Sequence, residues 1–150
     1  VTSHTEMNMR GKIDIIISDT NVIYSQSGIS TLLRLVYAYR HPTYKWDYQN
    51  NCGDALNHIT NTDGQLDDVF TYRAQYRADL VQLITVPCGY CGVGWVVTPI
   101  AYGKNYMFSV VTTDCLGTTP AHELGHNQVR KINFPIFTNI FSTEPFTEFK

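Results

Sequence analysis

The stretch that most constrains this chain is Thr119-Pro120-Ala121-His122-Glu123-Leu124-Gly125-His126-Asn127. On a helix, residues four apart share a face, so His122 and His126 can offer two imidazole nitrogens to one ion. Glu123 lies a rotation away, in reach of a water on that ion. A zinc ion, Zn2+, held this way lowers the pKa of its water toward neutrality, and a carboxylate can then take the proton. Thr119 is a good N-cap and Pro120 suits the first helical position, so a helix is expected to start here. An amphipathic helix with two solvated histidines would carry the same letters. A catalytic zinc also wants a third protein ligand. After His126 the chain holds no histidine, cysteine or aspartate, and its only carboxylate side chains are Glu144 and Glu148.

The length of 150 residues fits one domain, and 43% hydrophobic with 16% charged residues is ordinary globular composition. A net charge of -2 gives no electrostatic footprint for nucleic acid, and no apolar run is long enough to span a membrane. The beginning at Val1, without an apolar leader, reads as trimmed or fragmentary. Cys52, Cys88, Cys91 and Cys115 allow three full pairings. A redox C-x-x-C at Cys88–Cys91 is disfavoured because a strand, not a helix, is expected to follow. Structural disulfides of a secreted domain are the better account.

In chain order, residues 1–12 carry no pattern. Lys12 to Ser25 has strand propensity in its isoleucines but also a helical face. Thr31 to Tyr39 reads as a strand with Leu33, Leu35, Tyr37 and Tyr39 on one side. Residues 41–53 form a loop whose aromatics Tyr44, Trp46 and Tyr48 are expected to pack beneath it. Asp54 is expected to cap a short helix over Ala55–Ile59. A helix is expected over 65–77, with Asp67 and Asp68 at its start. Ala78–Val86 reads as an interior strand. Gly92–Val97 reads as an edge strand, and Phe108–Thr112 as another strand before the H-E-L-G-H helix. His4, His41 and His58 are expected at the surface. The sum is a mixed α/β (α+β) sandwich with the metal helix behind the sheet.

Several runs resemble the reprolysin-like (adamalysin-type) metzincin peptidases. They are Asp19-Thr20-Asn21-Val22-Ile23-Tyr24, Thr62-Asp63-Gly64-Gln65-Leu66-Asp67-Asp68-Val69, Cys91-Gly92-Val93-Gly94-Trp95, Phe108-Ser109-Val110-Val111 and the His122–Asn127 motif. The resemblance covers about residues 13–128. It implies a metzincin-like zincin domain, a twisted mixed sheet with an antiparallel edge strand packed on the zinc-binding helix, and a helix over Lys12–Ser25. It also implies a strand before that helix, for which residues 1–12 are a poor candidate. By resemblance, His122 and His126 are metal ligands and Glu123 is the general base. The edge strand Gly92, Val93, Gly94 and Trp95 would pair with an extended protein or peptide substrate.

The family extends its motif to H-E-x-x-H-x-x-G-x-x-H and adds a Met-turn. Here Val129 and Ile132 stand at the further glycine and histidine, and no methionine follows Met107. Five of seven phenylalanines lie in the last 17 residues. The expected organisation is therefore a catalytic domain over 1–128 and a non-matching, Phe-rich tail over 129–150, foreign to the fold. Two functions compete: a secreted zinc endopeptidase, or an inactive fragment or peptide-binding pseudoenzyme without the third ligand. A third arrangement recruits Glu144 or Glu148, although Pro145 disfavours helical geometry at Glu144.

Overall fold

The computed structural model describes residues 4–44, 51–96, 103–128 and 136–142, with 4–8, 103–104 and 136–142 described by backbone alone. The elements run α1 (His4–Gln26), β1 (Leu33–Arg40), α2 (Cys52–Thr60), α3 (Asp68–Gln75), β2 (Leu80–Thr85), β3 (Gly92–Gly94), β4 (Phe108–Thr112), α4 (Thr119–Asn127) and β5 (Ile136–Ser142). The five strands form one sheet in the order β1-β5-β2-β4-β3. Strands β1, β5, β2 and β4 are parallel, and β3 runs antiparallel to β4 at the edge. The mixed α+β class and the antiparallel edge strand are as expected.

Helix α1 settles the ambiguity of the isoleucine-rich segment. Met9, Ile13, Ile16, Thr20 and Tyr24 are buried, at spacings of three and four, whereas Ile15 is exposed. Burial on one 3.6-residue face outweighs the strand preference of β-branched residues. The helix also starts earlier than expected, drawing in residues that showed no pattern of their own. At its far end, the Asn21 amide donates to the Leu33 carbonyl at 3.0 Å and its oxygen accepts from the Leu33 N–H at 2.7 Å. One side chain thus stands in for a neighbouring strand at the start of β1.

The helices α1 and α4 cover one face of the sheet, where Ile13 and Ile16 meet Ala38, Ile84 and Val111, and Leu124 meets Leu33 and Leu80. Helices α2 and α3 cover the other, over Tyr37, Tyr39, Val81, Leu83, Phe108 and Val110. The alternation expected along β1 fails midway. A register shift between Leu35 and Tyr37 turns the tyrosines to the face opposite the leucines, which is what an extra residue does to a period of two. The tail contributes β5, paired in parallel with β1 on one side and β2 on the other. Residues 136–142 thus lie within the sheet, although the sequence reading sets the tail apart from the fold.

Local chemistry shifts other boundaries. Helix α2 is capped by Asn51 in a capping box, so Asp54 is its reciprocal partner and not its N-cap. Helix α3 is shorter than 65–77 because the Asp67 carboxylate accepts the N–H groups of Asp63 and Gly64, holding that stretch as a turn. Gly64 sits there at φ +88°, a conformation that favours glycine. His41 is buried and not at the surface: its Nδ1 accepts the Tyr44 N–H at 2.9 Å and its Nε2 lies 3.2 Å from Asp68. His58 pairs with Asp63 at 2.7 Å. Tyr44 packs into the core as expected, while Trp46, Tyr48 and the side chain of His4 lie outside the described residues.

Buried phenols make the fold sensitive to alkali. Burial pushes Tyr24 up to about 12, opposed by the hydrogen bond from Gln128. Burial also raises Tyr39, with the nearby Asp68 carboxylate adding to it, and raises Tyr44, with Asp63 and Asp54 adding less. A phenol whose folded pKa exceeds its unfolded value near 10 contributes stability that is complete below pH 10 and lost as pH rises through the folded value. Urea unfolding between pH 8 and 12 should therefore show a fall beginning near pH 10, with roughly 3 kcal/mol from Tyr24 alone. A flat profile over that range would contradict this assignment.

Candidate active site

Helix α4 divides its residues by direction. Ala121 and Leu124 are buried, and Leu124 faces the α1 side of the core. His122 and His126 turn outward, toward a cleft of about 790 Å³. Glu123 and Asn127 share the face that meets the edge strand. The helix begins at Thr119, so Thr118 takes the cap position expected for Thr119 and makes no side-chain cap bond. Pro120 remains within the first turn, where it displaces no helical donor.

The two imidazoles converge as the motif predicts. Their Nε2 atoms are 3.0 Å apart and their rings meet edge to face at 4.5 Å. Two nitrogens on one tetrahedral zinc would stand about 3.3 Å apart, so the pair fits a shared ion with little movement. Among the described residues, no group of three or more His, Cys, Asp or Glu side chains gathers here or elsewhere. Glu144 and Glu148 lie outside those residues, as do Val129 and Ile132.

Glu123 is only 6% exposed, and burial raises its carboxyl above the ordinary range, opposed by charge on His122 and His126. Its seat is made by two glycines. A Cβ on Gly92 would come within 2.8 Å of the Glu123 Cγ and the Thr119 Cγ2, and one on Gly94 within 3.0 Å of the Glu123 carbonyl oxygen. Only hydrogen at these positions lets helix and strand approach so closely.

Strand β3 is an edge whose hydrogen bonding alternates. Cys91 accepts from the Thr112 N–H, and the Trp95 N–H donates to Phe108, so both residues direct backbone groups at β4. The pairing of Gly92 with Val111 and Gly94 with Ser109 turns the N–H and C=O of the glycines to the free edge. The expected edge strand reached Val97, whereas β3 ends at Gly94 with one further bond from Trp95, and Val97 is outside the described residues. Trp95 follows the strand, held by its indole N–H donating to Thr60 Oγ1 at 2.8 Å.

Two polar residues not singled out by the sequence reading seat α4. The Asn127 amide donates to the carbonyls of Trp95 at 2.8 Å and Phe108 at 3.1 Å. Gln82, buried in β2, donates to Ser109 Oγ at 3.1 Å and to the Pro120 carbonyl at 3.4 Å. A glutamine inside the apolar run Leu80–Thr85 was the available signal. The disulfides Cys52–Cys88 and Cys91–Cys115 fix the approach to β3 from both sides, so Cys88 and Cys91 are not paired to each other.

Comparison with known proteins identifies the family. A family profile described as Metallo-peptidase family M12B Reprolysin-like matches residues 11–129. A peptidyl-Asp metalloendopeptidase of Pseudomonas aeruginosa (strain PAO1) is 34% identical over 121 residues, covering 71% of this chain and 19% of that protein. A second peptidyl-Asp metalloendopeptidase, from Stenotrophomonas maltophilia (strain R551-3), is 27% identical over 124 residues, covering 81% of this chain and 28% of that protein. The chain thus spans about a fifth to just over a quarter of the length of these relatives. No solved structure matches. With an H-E-x-x-H helix packed on an antiparallel edge strand and a family match over most of its length, the chain belongs to the reprolysin-like metallopeptidases of family M12B.

Proposed function

We propose that this chain carries the metal-binding and substrate-pairing elements of a secreted zinc endopeptidase. The observation that carries the reading is the placement of Glu123 between the converging histidines and the free glycine edge of β3. His122 and His126 would hold the zinc through Nε2. When bound, zinc supplies a Lewis acid that polarises the scissile carbonyl and acidifies water. Strand β3 would align an extended peptide on the outward N–H and C=O groups of Gly92 and Gly94. A Glu123 carboxylate oxygen would take the proton from the attacking water and return it to the leaving amine. Burial favours this by raising the proton affinity of the carboxylate. Two disulfides, and the absence among the described residues of any helix long and apolar enough to cross a membrane, fit an extracellular setting.

The second reading is a pseudoenzyme that binds peptides without cutting them. It is favoured by the absence of a third donor among the described residues. A peptidase assay on the zinc-supplemented chain and on Glu123→Ala separates the two. Turnover that falls at least about 100-fold in the variant supports catalysis, in line with the loss expected for a general base. Hydrolysis unchanged by the substitution, or none in either protein, leaves only the binding reading.

A further inference from the structure

The cleft over α4 is walled in part by residues that the proposed chemistry does not use. On one side the last turns of α1 and the segment after it supply Ile23, Tyr24 and Ile29. On the other, Tyr90 stands at the mouth just before the glycine edge. Ile29 is 43% exposed and Tyr90 68% exposed, which makes them two of the few large apolar side chains left open to solvent among the described residues. Tyr24 is fixed from behind, because its hydroxyl accepts a hydrogen bond from Gln128 at 2.8 Å. The wall is thus built on a helix tied to the C-terminal end of α4, and its position relative to the histidines is set.

The cleft lining among the described residues contains no lysine or arginine, and its groups able to carry positive charge are His122 and His126, which the proposed site assigns to metal. A carboxylate laid against this wall would lose water without gaining a cation, whereas an aliphatic or aromatic side chain would remove apolar surface from water on both partners. Gly92 lines the same cleft, so an extended peptide held on β3 would run beside this wall.

We propose that the α1 wall of the cleft is a subsite for an uncharged apolar side chain of the peptide, aliphatic or aromatic, and not for the aspartyl residue after which the two relatives are named. This rests on the reading of β3 as the peptide-pairing edge. The subsite depends on α1 and the Ser27–Ile29 segment, which lie far in sequence from the metal helix.

The test uses the full chain carrying Glu123→Gln, with zinc present, so that no peptide is cut and His122 and His126 stay on the metal. Acetylated and amidated alanine-glycine hexapeptides carrying one Leu, Phe or Asp are titrated while amide signals of Gly92 and Gly94 and methyl signals of Ile23 and Ile29 are followed by NMR. The expected result is movement of both sets with the Leu and Phe peptides, and binding at least about 10-fold tighter than for the Asp peptide. In Ile29→Arg, at an exposed position, the ratio should shift toward the Asp peptide. If Gly92 and Gly94 respond but the Asp peptide binds as tightly as the others, the apolar subsite is wrong and the edge reading survives. If no peptide moves Gly92 and Gly94, the edge reading fails and the subsite falls with it.

Discussion

Reducing the two disulfides is expected to remove most of the stability of this fold. The Cys52–Cys88 link closes a separation of 36 residues and the Cys91–Cys115 link one of 24. On the chain-entropy account these are worth about 4 and about 3.5 kcal/mol. Total stability for a domain is roughly 5–15 kcal/mol, so their combined loss competes with the whole. The links also converge on one place. Cys88 and Cys91 bracket the turn that leads into β3, while their partners sit at the start of α2 and just before α4. Thermal melts with and without a strong reductant should differ by roughly 15 °C or more, given about 2–4 °C per kcal/mol at this size. A difference of only a few degrees would mean that the core alone holds the edge strand in place.

Asn127→Asp should be the most damaging single substitution near the site at neutral pH. The native amide donates to the backbone carbonyls of Trp95, Phe108 and, at 3.5 Å, Tyr106, and the residue is 1% exposed. A carboxylate of the same shape has no proton to give, and it faces carbonyl oxygens in a buried position. Leaving such a charge uncompensated costs roughly 3–5 kcal/mol. Protonation restores one donor, so the folded-state pKa of the introduced acid must lie above its unfolded value. The variant should therefore regain stability as pH falls below that raised value, while the parent chain shows no matching gain. Urea unfolding of both proteins at pH 7 and pH 4.5 measures this. A variant within about 1 kcal/mol of the parent at pH 7 would show that Asn127 does not bind helix to strand as described.

The parts of the site legible in the sequence were those fixed by local spacing. The i, i+4 relation of His122 and His126 placed two nitrogens together without knowledge of the rest. The segment with Gly92 and Gly94 read as an edge strand, but nothing in it said that Glu123 would pack against its glycines. Residues that meet across the sheet were not legible in the same way. Nothing local to Asn127 says that its partners are the carbonyls of Trp95 and Phe108, or that Gln82 will reach Pro120 38 residues away. The cleft wall from Ile23 to Ile29 is invisible for the same reason, since α1 meets the metal helix only in the folded chain. Propensity misled where burial decides. The isoleucines of α1 favour strands one residue at a time, yet their buried positions repeat at the helical period. The face switch in β1 comes from one extra residue, which a strict alternation cannot anticipate. The Phe-rich tail carries no sign in its own letters that Ile136–Ser142 pairs between β1 and β2, because parallel partners lie far away along the chain.

If the site is as described, His122 and His126 together bind one metal ion on a helix fixed against the β3 edge. This is tested most directly by zinc calorimetry at neutral pH on the full chain, on His122→Ala and on His126→Ala. The expected result is one ion per chain, with affinity reduced at least about 100-fold in either variant, a loss of about 3 kcal/mol or more. Binding that survives both substitutions, or no saturable binding in the parent chain, would contradict it.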